Sequence, residues 1–351
     1  MKLNRLQSLD VIRGIAAISV FLSHFGTSKL PKLHQLVLQF QASFLWCNQG
    51  LHWGVIVFVV LSGFSIHMKN TNRDTLNTSQ YLKRRLLRIV PVLIFAIIFG
   101  CFVDFYFYHR VISDYAYNFF SNIFLLTGFL PIEPPYSNTI LNTAIVEILI
   151  YLSYPFILQY FKKNKLSIIL IILLIHMLNF GLIFTNINPS WIGRNFFALS
   201  LYWWIGALFA ELTFNTGGQT IKYKKIFQGG LPLFVGYLIY YLSSHFINFQ
   251  GSHVFKSICL AIISGILITT IVDLELSSKY KMKFYGFQYI GTVAYSLYAI
   301  HFPIILFLNS FLIIKRVPLN NQYCIIWLTV IVITLLTYFF VEKPFHKMAR
   351  K

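Results

Sequence analysis

Arg13 and His24 stand eleven residues apart in LDVIRGIAAISVFLSHF. Eleven steps of 100° fall within about 20° of whole turns, so on a helix the two side chains share one face, roughly 16 Å apart along the axis. An imidazole titrates close to neutral pH and suits proton transfer, and a guanidinium suits an anion. A second group is YLKRRLLRIVP, with Arg84, Arg85 and Arg88 at i, i+1 and i+4. Arg84 and Arg88 then share a face and can grip a phosphate. The competing reading is charge anchoring beside a membrane span, although Arg88 directly precedes the apolar run IVPVLIFAIIF, where Pro91 loosens the helix. A third is TAIVEILIYLSYP, where Glu147 and Tyr151 are one turn apart, so a phenol lies on the same face as the carboxylate. Ser62 in FVVLSGFSIH and His301 in YSLYAIHFP, with Ser296 and Tyr298 in the same stretch, complete the set. Ser62, Tyr151 and His301 are candidate substrate contacts; helix packing is the competing use of Ser62, and a satisfied bundle residue is the competing reading of His301.

All of these residues lie in or beside long apolar stretches. Of the 351 residues 57% are apolar and 11% charged, and the mean hydropathy is +0.68. A soluble domain would carry about 25% charged residues, so the chain reads as an integral membrane protein. Near-continuous apolar runs of spanning length occur near 8–25, 50–68, 88–108, 140–161, 166–184, 194–212, 230–249, 254–273, 289–314 and 322–341. The expected fold is therefore all-α, a polytopic bundle of about ten transmembrane helices. The stretch 115–130 is short and polar at its start, so an interfacial or re-entrant piece is expected there. With ten spans, the N-terminus, even-numbered loops and C-terminus carry 21 Lys and Arg, against six in the odd-numbered loops. Both termini are then cytoplasmic by the positive-inside rule.

Ionisable groups at membrane depth are costly and persist mainly where they line a cavity or pathway. That argues for function in Arg13, His24, Arg88 and Glu147. The formal charge of +19 comes from short clusters between spans such as KKNK and KYKK. These fit topogenic signals and contacts to anionic membrane lipid better than nucleic acid. Cys47, Cys101, Cys259 and Cys324 form no CxxC pair and read as small packing residues, and no metal is expected. No cleavable signal peptide, internal repeat, linker or appended soluble domain is expected. His67, His176 and His245 are expected to be structural or interfacial.

Taken in order, LDVIRG with its Arg-x10-His spacing, FVVLSGF, RRLLRIVP, ExxIYxxxP, YSLYAIHFP and VEKPF resemble the membrane-bound acyltransferase family 3, in its stand-alone form without an esterase-like domain. The resemblance spans nearly the whole chain. The chain departs from the family where Ile150-Tyr151 replaces an aromatic pair and Asn142 replaces a Trp. The resemblance implies a single membrane acyltransferase domain over 1–351 in the cell (inner) membrane, moving an acyl group, mostly acetyl, from acetyl-CoA to a cell-surface polysaccharide or lipid-linked glycan. It implies His24 as catalytic base, Arg13 as a donor-positioning residue, and Arg84, Arg85 and Arg88 as contacts to the phosphates of coenzyme A. Glu147 is the candidate carboxylate to orient His24. The alternatives are a transporter or flippase of lipid-linked glycan, a non-catalytic assembly protein, and an acyltransferase using another acyl group or a small intracellular acceptor.

Overall fold

The computed structural model describes residues 6–25, 46–47, 51–71, 76–108, 112–132, 138–182, 189–214, 252–276, 286–315 and 318–349. Among them the long elements are all helical: α1 (Gln7–Phe25), α2 (Trp53–His67), α3 (Thr78–Tyr108), α4 (Ile112–Ile123), α5 (Leu141–Lys163), α6 (Lys165–Gly181), the short α7 (Pro189–Ile192), α8 (Phe196–Phe214), α9 (Ser252–Leu276), α10 (Phe287–Ile314) and α11 (Leu319–Thr337). A π-helical turn at Tyr338–Glu342 leads into α12 (Lys343–Met348). The only strands among the described residues are the pair β1 (Trp46–Cys47) and β2 (Leu51–His52), antiparallel, with Trp46 opposite His52.

Among the described residues six helices are long and apolar enough to cross a membrane: Thr78–Tyr106, Leu141–Lys163, Phe196–Phe214, Lys256–Leu276, Phe287–Leu312 and Asn321–Met348. α1 has comparable length, but its first half carries Asp10 and Arg13, and both pack into the bundle. α2 and α6 are shorter apolar helices. The expected stretch 230–249 lies outside the described residues. α4 has only 12 residues, about 18 Å, too short to cross the roughly 30 Å hydrocarbon layer.

Two of the boundaries that differ from expectation bear on the site. The second helix starts at Trp53 rather than 50, because Leu51–His52 pair with β1 and the His52 Nδ1 then accepts the Gly54 N–H at 3.1 Å, capping the helix. The third starts at Thr78, ten residues before its apolar run. The arginine cluster is therefore part of the helix itself.

Backbone contact between small residues sets the register. A Cβ on Gly63 would overlap the Trp203 carbonyl, and one on Gly206 would overlap that of Val60, so α2 and α8 touch main chain to main chain. Gly291 of α10 meets the Asp10 carbonyl of α1 in the same way. Contacts also give direction. Ser62 meets Trp203 and His67 meets Glu211, so α2 and α8 run parallel. Phe209 meets Gly265 and Thr213 meets Thr269, so α8 and α9 are parallel as well. α1 and α10 are parallel, Asp10 lying beside Gly291 and His24 beside His301. Asp10, Arg88, Gly291, Glu342 and Lys347 line one cavity, which puts the start of α1 and the end of the described chain at the same end of the bundle.

Pro303 shows how the helices are tied together. It has no N–H to give the Ala299 carbonyl one turn back. Asn138 Nδ2 takes that carbonyl at 3.0 Å and also reaches Ala96 O at 3.3 Å, so one amide joins α10, α3 and the start of α5. Tyr298 adds a second tie, donating to Ile140 O at 2.8 Å.

Candidate functional site

The site is strung along the bundle from one end to the other. At the end that holds both described termini, a cavity of about 420 Å³ is lined by Lys69, Asn70, Tyr81, Arg84, Arg85, Arg88 and His346, with no carboxylate among its described lining residues. Such a mouth attracts a polyanion. Arg85 and Arg88 are half-buried, whereas Arg84 is exposed. The guanidinium of Arg85 lies over the rings of Tyr81 and Tyr151, at 5.9 and 6.0 Å from their centres.

Arg85 and Arg88 also line the next, smaller cavity, where they meet Arg13, Ser62, Ser65, Glu147, Tyr151 and Tyr295. Residues from α1, α2, α3, α5 and α10 thus converge on one point. Arg13 is held by Asp10 at 2.8 Å, one turn earlier on α1. Donors face the carboxylate in sequence: Trp203 Nε1 donates to Ser62 Oγ at 3.3 Å, Ser62 lies 2.8 Å from the Tyr151 hydroxyl, and Tyr151 donates to Glu147 Oε1. Because the Tyr151 proton is committed to Glu147, the Ser62 hydroxyl is the donor to Tyr151. Three guanidiniums against Glu147, with Asp10 held on Arg13, leave the cavity positive. That suits it to an anionic ligand and supports the half-buried carboxylate.

Glu147 and Tyr295 continue into a narrow gap with Phe58, Thr143 and Tyr298. The Tyr298 ring lies 6.4 Å from that of His301, and His301 Nε2 lies 3.2 Å from His24 Nδ1. His24 is packed further against Phe302, ring centres 4.9 Å apart. A continuous series of shared lining residues and ring contacts therefore joins the arginine mouth to His24.

The arrangement departs from the sequence reading in three ways. Helical spacing paired Arg84 with Arg88, but the inner cavity takes Arg85 and Arg88, leaving Arg84 at the rim. Glu147 is bonded to Tyr151, and it is His301 that lies within hydrogen-bond distance of the His24 ring. His301, read as a substrate contact, is wholly buried behind His24.

A scan of family models matches residues 6–341 to the acyltransferase domain of the acyltransferase 3 family. The chain belongs to the acyltransferase 3 family. No curated protein and no solved structure matches it. The match covers every helix that carries a site residue, so Arg13, His24, Ser62, the three arginines, Glu147, Tyr151 and His301 all lie within the family domain. The chain is a membrane acyltransferase.

The sequence reading named Tyr298 only as a neighbour of His301 and missed other residues that the structure brings to this path. Tyr81, Tyr295 and Tyr298 line it. Arg194, just before α8, lies within electrostatic reach of His24 and Tyr298. Beside the mouth, His67 bridges Tyr154 at 2.9 Å and Glu211 at 2.8 Å, and Lys165 reaches the same carboxylate at 2.8 Å. His67 is thus part of a buried network joining α2, α5, α6 and α8. Its signal in the sequence was Glu211, a carboxylate inside an apolar helix. His176 holds Ala198 O at 3.0 Å, a structural contact, while His245 lies outside the described residues. Cys101, Cys259 and Cys324 are free thiols, and no group of His, Cys, Asp or Glu among the described residues is arranged to hold a metal.

Proposed function

We propose that this acyltransferase O-acetylates a cell-surface polysaccharide or its lipid-linked precursor, taking acetyl from cytoplasmic acetyl-CoA and delivering it near the outer face of the cell (inner) membrane. The observation that carries the reading is the run of shared lining residues from Arg84, Arg85 and Arg88 at one end of the bundle to Tyr298, continued by side-chain contacts through His301 to His24. Coenzyme A has a polyanionic nucleotide head and a slender pantetheine arm. The head suits the arginine-lined mouth, and the arm suits a path that narrows toward Phe58 and Tyr298. Arg13 and His24 are separated by about 16 Å along α1, comparable with an extended arm. A narrow passage favours a small acyl group over a long one.

A thioester is already activated, so the protein has to hold its carbonyl beside an acceptor hydroxyl and manage one proton. His24 takes the hydroxyl proton as the oxygen attacks the carbonyl carbon. The C–S bond then breaks, and the proton passes to the departing sulfur, giving an ester and the free thiol of coenzyme A. Arg85, Arg88 and Arg13 hold the donor, while Glu147, fixed by Tyr151 and Ser62, keeps the guanidiniums in place.

The reading includes ten spans with both termini in the cytoplasm. The common end shared by the start of α1 and the end of the described chain supports it, as does the parallel run of α8 and α9, which makes the chain leave α8 at one end and begin α9 at the other. The test is transfer from radiolabelled acetyl-CoA to glycan by the full chain in proteoliposomes. His24→Ala is expected to abolish transfer, and full transfer by that variant refutes the assignment. Mass spectrometry and NMR of surface glycans from cells with and without the gene are expected to show a lost acetyl group, and its position identifies the sugar.

A further inference from the structure

His24 and His301 lie 277 positions apart in sequence and 3.2 Å apart in space, and their contacts define where the ring protons sit. His24 Nδ1 lies 2.9 Å from the Val20 carbonyl. A carbonyl only accepts, so Nδ1 of His24 carries the hydrogen. The same Nδ1 faces His301 Nε2, which therefore accepts, since two ring N–H groups cannot point at each other. His301 Nδ1 in turn lies 2.9 Å from Leu297 O and carries the one hydrogen of that ring. Val20 O alone is a poor anchor, because Ser23 Oγ already donates to it at 2.7 Å. The buried ring of His301 supplies the second acceptor, and Phe21, edge-on at 5.9 Å, holds that ring.

We propose that His301 is a positioning residue for catalysis: by accepting the Nδ1–H of His24 it keeps that imidazole in the tautomer whose lone pair lies on Nε2. This rests on His24 being the base. When Nε2 takes the acceptor proton, His24 becomes an imidazolium with a hydrogen on each nitrogen, and its Nδ1–H bond to His301 becomes charge-assisted. The contact is then stronger in the transition state than in the ground state, which is the condition for accelerating the chemical step. Once Nε2 returns its proton to the departing sulfur, both rings are as they began. His301 neither gains nor loses a proton.

Steady-state transfer by the full chain in proteoliposomes tests this with two variants. His301→Leu removes the acceptor and is expected to lower kcat roughly 100-fold, with KM for acetyl-CoA and for the glycan unchanged. His301→Gln places an amide oxygen near the former Nε2 and is expected to recover kcat to within about threefold of the parent, in line with acceptor rather than aromatic chemistry. A raised acceptor KM with kcat unchanged makes His301 a substrate contact and overturns the proposal. Equal losses in Leu and Gln variants also overturn it.

A second readout does not depend on turnover. In the chain labelled with ¹⁵N-histidine in nanodiscs, the resonances lost in His24→Gln are expected to show a protonated Nδ1 and an unprotonated Nε2, and to become a tautomer mixture in His301→Leu. An Nε2-protonated His24 in the parent, or no change in His301→Leu, refutes the positioning role and leaves the acetyltransferase reading standing. Absence of transfer to any glycan, with the tautomer as expected, refutes the acetyltransferase reading and leaves the geometry of the pair standing.

Discussion

The three arginines at the mouth should not contribute equally to donor binding. Arg85 and Arg88 line both the mouth and the inner cavity, while Arg84 is exposed at the rim alone. A hydrogen bond from a half-buried guanidinium to a phosphate is worth about 1.5–3 kcal/mol, and each factor of ten corresponds to about 1.4 kcal/mol. Arg85→Ala or Arg88→Ala is therefore expected to weaken coenzyme A binding by roughly 10- to 150-fold. An exposed pair is worth about 0.2–1 kcal/mol, so Arg84→Ala is expected to weaken it no more than about fivefold. Isothermal titration of coenzyme A into the chain in nanodiscs measures all three. Losing Arg85 also leaves Glu147 with one guanidinium fewer, and the expected side effect is reduced stability. Repeating the series in a Glu147→Gln background separates the two effects: thermal stability recovers in Arg85→Ala, and the loss of coenzyme A affinity persists. An Arg84→Ala variant as impaired as Arg85→Ala refutes the depth ordering and restores the simple helical pairing of Arg84 with Arg88.

Gly63→Ala and Gly206→Ala each place a methyl group against a facing carbonyl, so each is expected to cost at least about 1–3 kcal/mol, read as a lowered Tm in detergent; Gly181→Ala, in open space, is the neutral control. Asn138→Leu leaves the Ala299 carbonyl without its donor and is expected to cost about 1–3 kcal/mol; Pro303→Ala restores the missing N–H, and the double variant should recover part of the lost Tm. Glu211→Gln turns a carboxylate held by His67 and Lys165 into a neutral amide, and its Tm should fall by more than that of the exposed Arg84→Ala. In a cysteine-free background, Phe214→Cys and Ser252→Cys are expected to react with a membrane-impermeant thiol reagent from opposite faces of sealed vesicles; labelling from one face refutes the ten-span reading.

The apolar runs were legible because spanning a bilayer demands length and hydrophobicity, both local properties. Ionisable residues such as Arg13, His24, Arg88 and Glu147 stood out against them, and the Glu147–Tyr151 bond followed from one-turn spacing. Rotation of a helix about its axis is harder to read. Spacing puts Arg84 and Arg88 on one face, yet whether that face or the one holding Arg85 turns inward depends on where Tyr81 and Tyr151 sit, and Tyr151 lies on another helix. The tyrosines lining the path were hidden for a compositional reason. Aromatic residues make up 18% of the chain, so Tyr81 and Tyr295 carry no local contrast, and Tyr298 was noted only through its neighbour His301.

Pairings between distant helices were beyond any local signal, and the His24–His301 contact is the clearest case. It depends on the register of α1 against α10, which is set at the other end of the helices, where Gly291 admits the backbone of Asp10. From Gly291 the helix rises ten residues to His301, and from Asp10 it rises fourteen to His24. The rises differ by about 6 Å, and the slant of the two helices and the reach of the two rings take up the difference. A side chain at Gly291 would push α1 away from α10 and shift that register, so a glycine at the far end of the helices fixes which group meets His24. The same contact brings Asp10, and with it Arg13, beside Arg88 at the lower end of the path. One close approach of backbones thus sets Arg13 and Arg88 together at one end of α1 and the His24 imidazole beside His301 at the other, which is the arrangement the proposed transfer between opposite faces of a membrane requires.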